Sequence, residues 1–245
     1  MSTTATNNLS ATAAKLDAID WAEATGSVRE SGHALLDRVL DESQCERLIS
    51  LYDDDSLYRK TINMERYRFG SGQYRYFAYP LPPLVQQIRT AIYPRLAPIA
   101  NTWMEALNND VRYPLEHTEF IERCQSHGQD KPTALILRYG PGGHNTLHQD
   151  LYGEVYFPFQ IVLFLNEPGR DYTGGEFVLT EQVPRAQSKA IVLQPRQGDI
   201  LILTTSFRPQ AGARGYYRVN VRHGVSKVHT GSRHTLGIIF HDALT

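Results

Sequence analysis

The chain has 245 residues, with 25 Lys and Arg against 26 Asp and Glu, a formal net charge of −1 and 2 Cys. This length predicts one domain with a sizeable buried core. No run of about 18 apolar residues is present, so we expect no transmembrane helix. The near-zero charge argues against a strongly basic nucleic-acid-binding protein. Two cysteines exclude a disulfide scaffold and favour a reduced, cytoplasmic protein.

The first half of the chain predicts helices around one hairpin. Residues 1–15 are rich in Ser, Thr, Ala and Asn and lack the pattern of a signal peptide, so we expect a disordered N-terminal arm. Residues 16–130 are expected to form a helical and hairpin extension packed on the core. Its predicted elements are a helix over 16–29, a strand over 33–39, a helix from a capping box at 41–44 to about Tyr52, a hairpin over 64–79, a helix over 82–107 interrupted near Pro94 and Pro98, and a helix over 115–127.

Residues 131–245 predict a different architecture, in which short apolar strands alternate with turns that contain Gly and Pro. The predicted strands cover 134–139, 159–165, 175–180, 190–193, 199–203, 217–222 and 235–241. Many short strands with frequent turns are typical of a sandwich or jelly roll. The expected fold is therefore mainly β, a double-stranded β-helix (jelly-roll) core with N-terminal helices packed on its outside.

The triplet His148-Gln149-Asp150 is the strongest candidate for a metal site. In an extended strand the side chains at i and i+2 point to the same face, so His148 and Asp150 can converge while Gln149 faces away. His223, on a distant strand, would complete two nitrogens and one oxygen on one side of a metal. This donor set, with open positions opposite, is typical of non-heme Fe(II) oxygenases.

Arg233 and Thr235 follow His223 after a turn through Gly231 and share one face of a returning strand. A guanidinium binds a carboxylate bidentately, and the threonine hydroxyl can add a hydrogen bond beside it. This pair would hold the far carboxylate of a dicarboxylic keto acid whose other end chelates iron. Arg222 is the rival anchor, but as the immediate neighbour of His223 it should face the other side of its strand.

These motifs resemble the Fe(II)/2-oxoglutarate-dependent dioxygenases, whose pattern is HxD, a distal His, and Arg-x-Ser/Thr about ten residues later. Residues 137–143 resemble the family strand that supplies a tyrosine to the co-substrate, here Tyr139, and 171–177 and 197–202 resemble its GGE turn and its GD strand. The resemblance implies Fe(II), 2-oxoglutarate and O2. It assigns His148, Asp150 and His223 to the metal, and Tyr139, Arg233 and Thr235 to 2-oxoglutarate.

Residues 147–153, 222–226 and 237–243 resemble, more narrowly, a bacterial branch of oxygenases described as acting on damaged nucleic acid. This resemblance implies oxidative demethylation of alkylated nucleic acid, with release of succinate, CO2 and formaldehyde. The expected partner is methylated DNA or RNA, with neither a membrane nor an obligate protein partner. The alternatives are hydroxylation of a protein side chain or small metabolite, and a catalytically silent jelly-roll binding module.

A basic and aromatic ribbon in the predicted hairpin supplies candidate substrate residues. Aromatic rings can stack on bases and arginines can meet phosphates. The alternative is a half-buried strand pair with its arginines on the wet face. The candidates are Arg66, Arg68, Tyr74, Arg75 and Tyr76.

Other histidines compete for the place of the third metal ligand. His144 lies four residues before His148, but Pro141 and two glycines precede it and make a shared helical face improbable. The remaining competitors are His229, His234 and His241.

Overall fold

A computed structural model describes the backbone of residues 3–245 and the side-chain surroundings of residues 9–245. The helices are α1 (Thr3–Asp17), α2 (Trp21–Ser31), α3 (Glu42–Ser50), α4 (Pro83–Ala106) and α5 (His117–Ser126), with short 3-10 helices at Leu51–Asp53, Asp55–Leu57 and Met64–Tyr67. The strands are β1 (His33–Leu36), β2 (Tyr58–Asn63), β3 (Gly70–Ser71), β4 (Gln73–Phe77), β5 (Leu135–Tyr139), β6 (His144–His148), β7 (Phe159–Phe164), β8 (Tyr172–Gly174), β9 (Phe177–Gln182), β10 (Lys189–Leu193), β11 (Ile200–Thr204), β12 (Phe207–Gly212), β13 (Gly215–Val225), β14 (Val228–Gly231) and β15 (Arg233–Ile239).

Two antiparallel sheets form the jelly roll. The longer sheet has the order β1-β11-β7-β15-β5-β4-β2, and the shorter has the order β10-β9-β13-β6-β3, with β12 paired to β13. Every residue of β7, β11 and β15 is buried, because both faces of the longer sheet are covered. Along β13 buried and exposed residues alternate up to His223, as expected for a sheet with one face toward solvent. The predicted fold class is confirmed.

Helix α4 closes the outer face of the longer sheet. Its apolar side packs into one cluster with the outward-facing residues of that sheet, including Val85, Ile88 and Ile92 against Ile161 and Ile202. Both Pro94 and Pro98 lie inside this continuous helix, so the predicted interruption is wrong. Each proline removes a helical hydrogen bond, but burial of the apolar side against the sheet stabilises the helix.

The N-terminal region begins with a helix where the sequence predicts a disordered arm over 1–15. Helix α1 covers Thr3–Asp17, and Leu16, just after the predicted arm, is buried in the core. The first two residues lie outside the described part of the chain. The capping box at the start of α3 is confirmed, with Asp41 accepting from the Gln44 backbone and Gln44 accepting from the Asp41 backbone.

The region 16–130 does more than pack on the outside. It supplies β1, which pairs with β11, and β2 and β4, which continue the longer sheet beyond β5. The predicted extension over 16–130 therefore contributes strands to the longer sheet as well as helices outside it. Among residues 3–245, none of the helices combines the length and the apolar character that crossing a membrane would require.

The predicted hairpin exists, but its first strand is β2, which lies ahead of the predicted start at Met64. Residues 64–72, which we call the 64–72 loop, connect β2 to β4 through a 3-10 helix and β3. Asn63 opens the 3-10 helix by accepting a hydrogen bond from the Glu65 backbone, and Arg68 ends it in the left-handed conformation at φ 60°. Strand β3 leaves the hairpin and pairs with β6 in the other sheet.

Candidate active site

Neighbouring strands of the shorter sheet bring the two histidines of the predicted metal site together. His148 ends β6, and in the register of β6 and β13 it lies directly opposite His223. The two imidazole rings are 4.2 Å apart between centroids. Asp150 follows two residues later, with its carboxylate oxygens 3.6 Å from His148 Nε2 and 3.2 Å from His223 Nε2. One potential ligand atom from each residue lies within 4.8 Å of the others.

Hydrogen bonds orient this group. His148 Nδ1 is 2.8 Å from the Thr146 carbonyl oxygen, which favours the tautomer with the proton on Nδ1 and leaves Nε2 free for a metal. The Tyr152 hydroxyl donates to Asp150 Oδ1 at 2.8 Å. Phe177 stacks on the His223 ring at 5.7 Å.

The electrostatics favour the protonation states that a metal requires. Burial alone would raise the pKa of Asp150, but the hydrogen bond from His223 and the neighbouring imidazoles outweigh it and hold the pKa well below its usual value. Burial, followed by the charge of His223, lowers the pKa of His148. A carboxylate beside two imidazoles on one side of a site is a donor set that fits Fe(II).

Arg233 is a buried cation whose charge has no matching anion among the described residues. The residue is 1% exposed, and its Nε, Nη1 and Nη2 atoms have no hydrogen-bond partner within the described part of the chain. The rings of Tyr139, Phe164 and Tyr172 surround the guanidinium at 5.6–5.8 Å. A buried charge is costly unless it is paired, so this orphaned fork fits the far carboxylate of 2-oxoglutarate.

Gly175 makes room for this guanidinium. A Cβ at Gly175 would lie 2.9 Å from Arg233 Cδ, and its φ of +65° suits glycine. The GGE turn recognised in the sequence therefore shapes the pocket around the arginine.

A cavity of about 220 Å³ contains the three candidate ligands and continues between the two sheets. Tyr139 and Thr235, both predicted to contact 2-oxoglutarate, line it. Burial raises the pKa of Tyr139 to about 12, which keeps its hydroxyl protonated and able to donate. The structure thus brings Tyr139, Arg233 and Thr235 to adjoining positions of β5 and β15, where Arg233 lies opposite Tyr139. Arg222 is exposed on the other face of β13.

Two of the five predicted substrate residues, Arg75 and Tyr76, are buried. Arg75 is buried on the far face of β4, where it pairs with Asp55, donates to the Tyr52 carbonyl and lies 4.1 Å over the Tyr58 ring. Tyr76 is 7% exposed and donates to the Tyr152 hydroxyl at 3.2 Å. Arg75 therefore lies on the face of β4 opposite Tyr74, and Tyr76 is covered by neighbouring side chains, so the assignment of these two residues to substrate stays a prediction. Tyr74 does line the cavity, and Arg66 and Arg68 are exposed on the 64–72 loop.

The cavity residues that were not among the predicted site residues include Phe69, Asn145, Tyr152 and Gln160. Gln160 is 2% exposed, and its Nε2 has no partner among the described residues. It lies two residues before Val162 on β7, and the strand period places both side chains on the face toward the cavity. Phe69 and Tyr152 lie in loops, and Asn145 lies in the polar strand β6, and for none of them does the sequence give a comparable signal.

The competing histidines lie outside the group of three. His234 Nδ1 is 3.0 Å from the Asn166 side-chain oxygen, and His241 Nδ1 accepts from the Phe157 backbone at 3.2 Å. His229 is exposed, and His144 Nδ1 is 3.2 Å from the Gly142 carbonyl. Over the part of the chain that the structure describes, His148, Asp150 and His223 are the cluster with metal-ligand spacing.

A family model and a curated relative match this chain. The family, Oxygenase-NA, is described as "Oxygenase, catalysing oxidative methylation of damaged DNA", and its model matches residues 72–243. An uncharacterized protein of Mycobacterium tuberculosis, found in two strains, is 44% identical over 167 residues, which cover 68% of this chain and 72% of the relative.

Solved structures share the fold at low sequence identity. A 2OG-Fe(II) oxygenase family oxidoreductase from Burkholderia pseudomallei has a TM-score of 0.52 and 16% identity, over 92% of this chain and 94% of that one. A prolyl-4-hydroxylase from Pseudomonas putida has a TM-score of 0.51 and 14% identity, over 89% and 97%. A prolyl hydroxylase from Trichoplax adhaerens, in complex with a hypoxia inducible factor peptide fragment, has a TM-score of 0.51 and 13% identity, over 91% and 89%.

The fold likeness, the family match and the donor set agree with the resemblance seen in the motifs. The chain belongs to the Oxygenase-NA family, and it is an oxygenase that depends on Fe(II), 2-oxoglutarate and O2.

Proposed function

We propose that this oxygenase removes methyl groups from alkylated nucleic acid by oxidation. The observation that carries the proposal is the match to a family described by its action on damaged DNA. Because an oxygenase places oxygen on a carbon atom, we assign the methyl carbon as the atom that is oxidised and released. Hydroxylation of an N-methyl group gives an N-hydroxymethyl group, which breaks at the C–N bond to release formaldehyde and returns a proton to the nitrogen.

In this proposal each group of cavity residues has one task. Bound Fe(II), with 2-oxoglutarate and O2, supplies the oxidation of a C–H bond, and the co-substrate leaves as succinate and CO2. His148, Asp150 and His223 hold the metal. Arg233 pairs with the far carboxylate of 2-oxoglutarate, while the Thr235 and Tyr139 hydroxyls donate beside it. Tyr152 holds the Asp150 carboxylate in place through its 2.8 Å hydrogen bond. The apolar lining, including Leu137 and Val162, excludes water.

The outer part of the cavity suits a planar substrate. Tyr74 and Phe69 line it, and Arg66 and Arg68 are exposed on the same loop as Phe69. An aromatic side chain can contact the face of a base, and an arginine can pair with a phosphate. A methylated base must leave its stack to reach the cavity, so we expect single-stranded substrate to react faster than duplex.

Turnover of a defined substrate panel tests the proposal. Protein supplied with Fe(II) and 2-oxoglutarate would be offered single-stranded DNA and RNA with N-methylated bases, the same strands in duplex form, and proline-containing peptides. Succinate and formaldehyde would be measured in parallel. With methylated single strands we expect equal amounts of succinate and formaldehyde. With unmethylated strands we expect no formaldehyde, and no succinate above the level formed without substrate.

If no oligonucleotide yields formaldehyde and a peptide increases the amount of succinate, protein hydroxylation would replace the proposal. That outcome would accord with the peptide complex of the structurally similar Trichoplax adhaerens enzyme.

A further inference from the structure

Two large aromatic side chains are exposed side by side on the 64–72 loop. Tyr67 is 54% exposed and Phe69 is 45% exposed. Their rings stack at 5.5 Å between centroids with an interplanar angle of 19°. Each residue thus keeps about half of its surface exposed, although large aromatic rings contribute most to stability when they are buried. An exposed pair of this kind, beside a cavity, marks a surface for binding.

The protein fixes this aromatic pair relative to the metal ligands. The Phe69 carbonyl accepts hydrogen bonds from both the backbone and the hydroxyl of Thr146, each at 2.8 Å. Thr146 lies two residues before His148 on β6. Immediately after Phe69, Gly70 pairs with Asn145, and a Cβ at Gly70 would lie 2.2 Å from the His144 carbonyl oxygen. Since Phe69 also lines the cavity, the exposed pair is the outward continuation of the metal site.

Positive charge accompanies the exposed rings. Arg66 and Arg68 flank Tyr67 in sequence and are exposed. The nearby Glu65 carboxylate accepts a hydrogen bond from the Ser71 hydroxyl at 2.7 Å, which ties it to the loop. Half-exposed rings beside exposed cations match a polymer of flat bases joined by phosphates. An acidic peptide would contact the arginines and an aliphatic peptide would contact the rings, but neither would contact both.

We propose that Tyr67 and Phe69 form the platform on which an unpaired base of the substrate strand stacks, next to the methylated base that enters the cavity. The inference rests on the proposed action on nucleic acid and adds the residues that hold the strand. Arg66 and Arg68 contact the phosphates on either side of the stacked base. The platform requires an open base face, so the substrate is single-stranded at this position.

Binding measurements with matched variants test the platform. We expect Tyr67→Ala and Phe69→Ala each to raise the Kd for a methylated single-stranded oligonucleotide by about 5- to 150-fold. Tyr67→Phe should bind like the wild type, because it keeps the ring and loses only the hydroxyl. Tyr216→Ala is the control, since Tyr216 is 56% exposed on β13, at the hairpin with β12 and away from the cavity. It should leave the Kd, the melting temperature and turnover unchanged.

An abasic scan separates stacking from a general effect on the fold. One flanking nucleotide at a time would be replaced by an abasic residue in the oligonucleotide. In the wild type, one abasic position should weaken binding about as much as Tyr67→Ala does. In Tyr67→Ala the same position should have no further effect.

Each failure has a distinct signature. If the wild type demethylates oligonucleotides while Tyr67→Ala, Phe69→Ala and Tyr216→Ala bind equally well, the platform is wrong and the proposed function stands. The platform would also be wrong if Tyr67→Phe, which keeps the ring, lost binding together with a lowered melting temperature. If the wild type releases formaldehyde from no oligonucleotide, both the function and the platform fall.

Discussion

Arg233 carries a full charge in a dry, aromatic pocket between the two sheets. Its guanidinium is surrounded by three rings and forms no salt bridge or hydrogen bond with a carboxylate among the described residues. The rings offset part of the desolvation penalty, and the co-substrate carboxylate would offset the rest. The unpaired charge of Arg233 therefore lowers the stability of the protein without 2-oxoglutarate, and the same charge raises its affinity for that co-substrate.

Replacement of Arg233 by Met should make this opposition measurable. We expect the free energy of unfolding without 2-oxoglutarate to rise by roughly 1–4 kcal/mol, while the Kd for 2-oxoglutarate rises about 10- to 150-fold. Denaturant unfolding with and without 2-oxoglutarate measures both quantities. The wild type should gain about 2.7 kcal/mol at a 2-oxoglutarate concentration of 100 Kd. Exposed Arg222→Met is the control, and an equal loss of affinity in that variant would contradict our choice of anchor.

Binding of Fe(II) should require His223 and should not require His229. His223→Ala removes one of three donors and should abolish the visible charge-transfer band of the complex with Fe(II) and 2-oxoglutarate under anaerobic conditions. His229→Ala removes an exposed imidazole and should keep the band. A variant of His223 that retains the band, with an unchanged melting temperature, would show that the third ligand lies elsewhere.

The sequence predicted best the pairs of residues that lie two positions apart. A period of two places Arg233 and Thr235 on one side of β15. His148 and Asp150 also converge, although β6 ends at His148 and Asp150 lies just beyond it. Tyr67 and Phe69 also lie two positions apart, but they belong to a turn whose course is set by hydrogen bonds to β6. The surroundings of Arg75 could not be predicted, because the sequence does not reveal that Asp55, Tyr52 and Tyr58 meet its guanidinium.

At the scale of elements, the helix α4 is joined to the end of the chain by a buried ion pair. Arg89 Nη2 and Asp242 Oδ1 are 2.8 Å apart, with side chains 1% and 0% exposed. Arg89 also donates to the Phe240 carbonyl at 3.0 Å and to the Tyr79 hydroxyl at 2.8 Å. This network anchors the helix to the segment just beyond β15, the strand that carries Arg233.

Loss of Arg89 should destabilise the fold strongly. Arg89→Met leaves the Asp242 carboxylate buried and unpaired, and we expect a loss of about 3–5 kcal/mol in the free energy of unfolding. Arg95→Met on the exposed side of the same helix should change it by less than about 1 kcal/mol. Urea unfolding of the two variants makes the comparison, and the double variant Arg89→Met/Asp242→Asn should recover part of the loss. Similar values for Arg89→Met and Arg95→Met would mean that the pair contributes little.

The elements that the sequence predicted well are those with strong local patterns. The buried strands β7, β11 and β15 have apolar runs, and the capping box of α3 has both of its partners in the sequence. The strands β6 and β12 were missed because they are polar and partly exposed, and their pairing with β13 is what makes them strands. Helix α1 was missed because its composition resembles that of a disordered segment.

At the scale of the whole molecule, buried histidines make stability depend on pH. Burial, followed by the charge of Arg89, lowers the pKa of His117 to about 3, and burial lowers that of His241 to about 3 and that of His234 to about 4. In the unfolded chain these imidazoles titrate near 6.5. Between these limits the unfolded state binds more protons, so stability is full above about pH 6.5 and falls as the pH is lowered.

We expect each of these histidines to contribute a slope of up to about 1.4 kcal/mol per pH unit in this window. The free energy of unfolding, measured in urea at several values between pH 7.5 and 5, should therefore decrease steadily toward acid. His117→Asn removes one titrating group and should flatten the slope, whatever its effect on stability at pH 7.5. An unchanged slope in this variant would rule out His117 as a source of the acid sensitivity.

The two outer strands of the longer sheet lie outside the part of the chain that the family model matches. The stretch matched by the family begins at residue 72, yet β1 and β2, which end both sides of that sheet, come earlier in the chain. A fragment cut at the matched boundary would open the flanks of β11 and β4, each presenting rows of free amides and carbonyls. Such a fragment should recruit strands from other copies and aggregate, even though it retains every residue proposed to bind iron and 2-oxoglutarate. Because β1 and β2 complete the sheet, we expect the smallest part of the chain that folds to be longer than residues 72–243.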